Sequence, residues 1–421
     1  FMFKKKSLFL FVASLLALTG CDGGNDGEVV RLQVWGPTKE GEKEVYEYLA
    51  GKFQEAHPEI TFKMGFGDVG EGDAATMALG DIDTSADVFM FADDQLANLV
   101  QKGVLNALPT TYANIVKARD LARSVSDASF TKQSEEEKVY AFPLASDNGY
   151  MLVYNKAYFN ATDVLTLEGM MAKADTNHQV VIDMGNGYYS MTGLLDHGQL
   201  SYDPYARVHT TDFDSVSNAS ALQGLINIIQ PKKDKGFKSV NVDDVMADFS
   251  NANGNKVVAA VTGNWNVDNI KELLGDDFAA AKLPTYTSAD STVVQMGSFT
   301  GSKLVGVKSS SLVSAWALAF AEFVTNEASQ LYRFEAIGKG PTNSVVYNSP
   351  AVLAEPGLAA LDAQYPFAIS QGKSVGDTFW TPSASVGNFI VNGPAGVDGP
   401  QTIQEQLTAF VQAITAAPES N

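Results

Sequence analysis

Val30, Leu32 and Val34 alternate with polar neighbours, and that period of two predicts a strand running into Trp35. The period then lengthens. Val45, Leu49 and Phe53 recur every four residues and predict a helix over 42–53. Ile60, Phe62, Met64 and Phe66 return to alternation, and Val88, Phe89, Met90 and Phe91 form a short apolar run. Leu96, Leu99 and Val100 then mark a helix face closed by Gly103. Further strands are predicted over 139–142, 150–154, 180–183 and 256–262, and Leu312, Trp316 and Phe320 set another helix face, with Trp316 as core. Strand–helix alternation of this kind predicts α/β layers around mostly parallel sheets. Glycines gather at 65–72, 185–187 and 297–301 and read as loops at strand ends, where α/β proteins bind ligands.

The start of the chain follows a different pattern. Lys4, Lys5 and Lys6 precede an apolar run over 7–18 that ends in Leu18-Thr19-Gly20-Cys21. That run is shorter than the roughly 20 residues a spanning helix needs. A basic flank, a short apolar stretch and small residues before a cysteine predict an export signal over 1–20. Cys21 matches the residue that bacterial lipoprotein processing acylates, and 21–28 reads as a polar, flexible tether. The expectation is an extracytoplasmic protein, lipid-anchored to the membrane through Cys21. What remains is roughly 400 residues, room for two or three domains.

Charge and composition narrow the chemistry. Hydrophobic residues make up 45% and charged residues 19%, a core-forming chain. Cys21 is the only cysteine, so no thiol is left for a disulfide, a nucleophile or a thiolate metal site. The net charge of −20 excludes nucleic acid and disfavours polyanions, whose phosphates need clustered Lys and Arg; a neutral or cationic ligand is left. His57, His178, His197 and His209 show no zinc spacing, and there is no GxSxG elbow, P-loop or GxGxxG. Asp93 and Asp94 are adjacent, which rarely aims two carboxylates at one glycosidic bond. They read equally as caps of the next helix. Asp243-Asp244 and 251–255 do not match a calcium loop. No catalytic residue, cofactor or metal is expected.

Taken in order, several stretches resemble the extracellular solute-binding proteins of bacterial ABC sugar importers, of the maltose/maltodextrin type. They are Leu32-Gln33-Val34-Trp35-Gly36, then Phe53-Gln54-Glu55-Ala56-His57-Pro58, then Ala86-Asp87-Val88-Phe89-Met90-Phe91 running on to Gly103-Val104-Leu105. Tyr140-Ala141-Phe142-Pro143-Leu144 leads to Leu152-Val153-Tyr154-Asn155-Lys156, and Gly263-Asn264-Trp265-Asn266 and Lys282-Leu283-Pro284-Thr285 follow. Gly340-Pro341-Thr342-Asn343 and Phe379-Trp380-Thr381-Pro382 complete the set. The resemblance covers nearly all of 29–415. It implies a two-lobe periplasmic-binding-protein type II fold, α/β in class, with a hinge and an inter-lobe cleft. The N-terminal lobe would be 29–146 completed by 298–342, and the C-terminal lobe 150–295 completed by 347–421. It further implies a monomeric receptor, not an enzyme, that captures an oligosaccharide and delivers it to ABC permease subunits.

A pyranose offers a flat C–H patch and a rim of hydroxyls, which aromatic faces and carboxylates or amides suit. By position, the resemblance makes Trp265 and Trp380 sugar-stacking residues and Tyr188 a stacking or hydrogen-bonding one. Asp94 matches a carboxylate that grips hydroxyls, and Phe91 stands where the maltose-binding type often has a tryptophan. Gln95 and Asn186 replace an arginine and a glutamate. Asp147 or Asn148 matches a hinge-region carboxylate, a one-residue insertion leaving both open. Lys39 is a further candidate, followed by Glu71 or Asp73. Phe91 reads equally as core and Asp94 equally as a cap. Two rival readings stand beside this one: a binder of another solute, such as a polyamine, iron or a non-glucan sugar, and an extracellular glycan-degrading enzyme.

Overall fold

The computed structural model describes residues 28–37, 41–254, 256–394 and 399–416. The leader, Cys21 and Lys39 lie outside the described residues. The alternation at Val30, Leu32 and Val34 becomes the strand Glu28–Gly36, with those three side chains buried. Helix Glu42–Ala56 buries Val45, Leu49 and Phe53 and leads to the parallel strand Ile60–Asp68.

Ten strands join in one sheet. From one edge the order is Ile60–Asp68, Glu28–Gly36, Val88–Ala92, Ser298–Val307, Phe142–Asn155, Val257–Gly263, Gln179–Val181 and Phe237–Lys238. Phe278–Ala281 also pairs with Phe142–Asn155, and Ala368–Ser370 with Ser298–Val307. The outer pairs are parallel, as alternation with helices predicts. The central pairs are antiparallel, because two strands pass between lobes and run against their neighbours.

Those two strands divide the hydrophobic residues into two lobes. One core draws on side chains between Leu32 and Leu144 and between Leu304 and Val324. The other packs Tyr150, Leu152 and Phe299 with residues as far as Ile414, and a further cluster covers the opposite face of the same strands. Strand Ser298–Val307 thus changes lobe within its own length, between Phe299 and Leu304. The third passage follows helix Glu327–Ile337, and helix Pro356–Gln364 packs onto Phe278–Ala281.

Three sequence expectations change for physical reasons. Residues 142–155 form one 14-residue strand rather than the ends of two. Its polar middle hides the pattern because Ser146 and Asp147 serve the hinge. Asp147 is buried, and its Oδ2 accepts from Asn264 Nδ2 at 3.0 Å and Gly340 N at 2.9 Å. Ser146 Oγ donates to Pro341 O at 2.8 Å. Gly65 and Gly67 lie inside a strand, not a loop, since Gln33 and Trp35 lie where a Cβ would go. Leu312 falls outside helix Ser314–Val324 and is fully exposed, while Trp316 is half-buried, edge-on to Phe62 at 5.1 Å.

A buried ion pair fixes the first lobe. Arg333 is 2% exposed, and its Nη2 donates to Glu42 Oε2 at 2.9 Å and Oε1 at 3.1 Å. Tyr46 Oη donates to the same carboxylate at 2.9 Å. Glu42→Gln would leave a buried guanidinium uncompensated and should lower stability by about 3–5 kcal/mol. Urea denaturation checks this; an unchanged midpoint would show that the pair carries no stability.

Candidate ligand cleft

Strand ends and short turns carry the candidate side chains. On the first lobe, Val88–Ala92 runs into the turn Asp93–Gln95. On the second, Val257–Gly263 runs into the turn Asn264–Asn266, which carries Trp265. The turn Asp377–Phe379 opens helix Trp380–Asn392. Asn186 caps the short helix Gly187–Ser190, its Oδ1 accepting from Tyr188 N at 3.0 Å. Gly187 has no alternative, because a Cβ there would collide with the Trp380 carbonyl. That close approach places the Tyr188 ring 6.1 Å from Trp380 and 6.3 Å from Trp265. The three rings are half-buried.

Polar groups in and around this cluster are short of partners. Asp93 Oδ2, Asp94 Oδ1, Gln95 Oε1, Tyr188 Oη and Thr378 Oγ1 are buried and make no hydrogen bond within the protein. Buried polar atoms are nearly always bonded, and leaving one unpaired costs about 1–3 kcal/mol. Three of these atoms accept and the two hydroxyls also donate, the complement of a polyhydroxylated ligand.

Electrostatics sharpen this picture. Burial, then the nearby Asp377, pushes Asp94 up to about 6. Burial, then Asp127 and Asp94, raises Asp93 well above the carboxylate range, although Gln371 Nε2 donates to its Oδ1 at 3.0 Å. Asp127 is raised by burial while accepting from Ser302 Oγ at 2.8 Å and Ser370 Oγ at 3.1 Å. At the Trp265 end lies a pocket of 470 Å³ lined by Asn266, Asn269, Asp243, Glu71 and Lys303. Glu71 and Lys303 pair there at 3.2 Å. Burial disfavours both charges, but each holds the other ionised: Glu71 sits below its ordinary value and Lys303 above it. Among the described residues no group of His, Cys, Asp and Glu could hold a metal ion.

Trp265, Trp380, Tyr188, Asp94 and Gln95 therefore lie around one cleft, with Asn186 positioning Tyr188 through its cap. Phe91 does not belong to it. The ring is fully buried in the first core, 5.6 Å from Phe89, because its side of the strand faces the helices. Asp147 is committed to the hinge, and Asn148 is half-buried beside it. Asp93 and Asp94 are not caps: helix Leu96–Gln101 has no side-chain cap bond. Gln95 donates to Gly72 O at 2.9 Å, which holds the turn. Lys303, Asp377, Thr378 and Gln371 were missed by the sequence reading. Asp377-Thr378 directly precede Phe379-Trp380, and that adjacency was the available signal.

A family model described as bacterial extracellular solute-binding protein matches residues 49–360. The maltodextrin binding protein MalE1 from L. casei BL23, without ligand, is 26% identical at a TM-score of 0.76, covering 92% of this chain and 100% of that one. The maltose-binding periplasmic protein MalE from Listeria monocytogenes, in complex with maltose, is 19% identical at 0.69, over 92% and 97%. The Thermus thermophilus maltotriose binding protein, bound with maltotriose, is 16% identical at 0.69, over 91% and 99%. These likenesses establish the two-lobe fold. No curated protein sequence matches the chain.

Burying Asp94 couples lobe closure to a proton. Burial and the nearby Asp377 of the second lobe hold its value at about 6 here, against an ordinary 3.8, so an opening that removed both would release a proton. Closure is therefore favoured below about pH 6, and that help is lost as pH rises through 6. The radius of gyration of ligand-free protein should grow between about pH 5 and about pH 7.5, and grow less in Asp94→Asn. A radius independent of pH in the unsubstituted protein would contradict this coupling.

Proposed function

Since the chain belongs to the bacterial extracellular solute-binding proteins, a family whose name places it outside the cytoplasm, we propose that its cleft captures a malto-oligosaccharide for delivery to an ABC permease. The observation that carries the reading is the set of buried, unpartnered acceptors and hydroxyls beside the clustered rings of Tyr188, Trp265 and Trp380. Sugar C–H faces would stack on the two tryptophans, and sugar hydroxyls would donate to Asp93, Asp94 and Gln95. Tyr188 and Thr378 would complete the rim. The structural relatives solved with maltose and maltotriose support the same ligand class.

Capture follows from the two lobes. A ligand touching both favours the closed form by its differential affinity for it. The permease would then recognise the closed pair of lobes. The protein would hang from the membrane by acyl chains on Cys21, which follows Leu18-Thr19-Gly20 behind a basic, apolar leader; among the described residues no helix is long and apolar enough to cross a membrane. Replacing Cys21 with Ser should release the protein from the membrane fraction; undiminished retention would contradict the anchor.

One observation favours a second reading. Carboxylates at Asp93, Asp94 and Asp377 beside Tyr188 and Trp380 would also suit a polyamine, so spermidine belongs in the same titration. Calorimetry should show binding of maltose to maltoheptaose and little heat with spermidine or cellobiose. Trp265→Ala and Trp380→Ala should each weaken the sugar by about 1–3 kcal/mol, the cost of truncating an aromatic anchor. Mass analysis should return the sugar uncut. Tight spermidine binding without sugar binding would replace this reading with the second.

A further inference from the structure

A hairpin of the second lobe reaches across the cleft. Strands Leu200–Asp203 and Val208–Thr211 pair antiparallel, and the turn between them is stiff. Asp203 Oδ1 accepts from Tyr205 N at 2.8 Å and Ala206 N at 3.0 Å, and Arg207 holds a φ of 56°. The base of the hairpin is fastened to its own lobe. His209 is buried; its Nδ1 meets Ile414 O at 3.0 Å, and its Nε2 accepts from Gly376 N at 3.0 Å. Such an imidazole is neutral, and burial holds its pKa low. Tyr202 lies against Gly376, where a Cβ would collide with its ring.

The tip touches the other lobe. Tyr205 Oη donates to Thr131 O at 3.0 Å, and its ring lies 6.0 Å from Phe130. Gln101 Nε2 donates to Pro204 O at 3.1 Å. Between this bridge and the tryptophan cluster lies a chamber of 300 Å³, lined by Asp94, Asn98, Lys102, Tyr202, Arg207 and Asp377. It continues from Asp94 and so extends the cleft, yet the bridge stands across its far side. Its lining is rich in hydrogen-bonding side chains, with a carboxylate from each lobe.

We propose that the turn 203–207 is a latch that shuts one end of the cleft, so that the chamber receives the terminal unit of a sugar chain and stops it there. The inference rests on the sugar reading and adds to it a direction: the chain enters with one defined end against the hairpin, and growth is possible only toward the Trp265 end. Tyr205 and Gln101 set this limit without belonging to either core. Both are exposed, so replacing them leaves the folded lobes intact.

Three probes test it by calorimetry: maltotetraose, the same chain carrying 4-nitrophenyl at its reducing end, and the same chain carrying a 4,6-ethylidene group at its other end. The unsubstituted protein should bind one capped chain like the free one and the other at least about tenfold more weakly. The double variant Gln101→Ala/Tyr205→Ala should lose most of that difference. Equal binding of all three chains, or undiminished discrimination by the double variant, would overturn the end-stop. A second measurement needs no sugar. Near pH 5.5, scattering should give a larger radius of gyration for the double variant than for the unsubstituted protein, because two bridging bonds are gone. If no sugar binds but the radius grows, the latch stands and the sugar reading falls. An unchanged radius overturns the latch whatever the sugars do.

Discussion

Strands Phe142–Asn155 and Ser298–Val307 are hydrogen-bonded to each other from one core into the next, and everything at the cleft hangs on that pairing. Thr300 faces Gly149 near the second lobe, and Val305 faces Phe142 in the first. Between them the register slips on either side of Lys303, the kind of local irregularity that bends a ladder. The residues at the bend are also residues of the site. Gly301 has no side chain because the Asp93 carboxylate sits where its Cβ would be, and Lys303 turns its ammonium to Glu71. Asp147, across the pair, holds Gly340 and Asn264. A rotation between the lobes must therefore rearrange the very groups that line the cleft.

This arrangement sets an energetic problem that a ligand would solve. Asp93, Asp94 and Asp127 are all buried in this arrangement, Asp93 within reach of the other two and Asp94 near Asp377 of the second lobe, and their raised pKa values record the cost. Gln371, Ser302 and Ser370 supply some donors. Asp93 Oδ2, Asp94 Oδ1 and Gln95 Oε1 are left without any. Hydroxyl donors would offset that cost, and flat C–H surfaces would cover the rings of Tyr188, Trp265 and Trp380. Closure and capture then become one equilibrium, with the ligand's affinity for the closed form setting its position.

The fold was largely legible in the sequence because burial writes periodicity. Val30, Leu32 and Val34, and Val45, Leu49 and Phe53, report a strand and a helix directly. The hinge was not legible from periodicity, since Ser146 and Asp147 break the strand pattern and bond to Pro341, Asn264 and Gly340 instead. At the site, Trp265, Trp380 and Tyr188 came from the resemblance, and their convergence from the fold. Phe91 shows the limit of such transfer. A position aligned with a cleft aromatic still faces the core when its strand presents that side inward. Lys303 and Gln371 carry no local signal, as each becomes relevant only when distant segments meet.

The most direct test of the account is a crystal structure of the protein with maltotetraose. Sugar rings should lie against Trp265 and Trp380, with hydroxyls within hydrogen-bond distance of Asp94 Oδ1, Asp93 Oδ2, Tyr188 Oη and Thr378 Oγ1. A sugar bound elsewhere, or bound in the cleft with those four atoms still unpartnered, would contradict it.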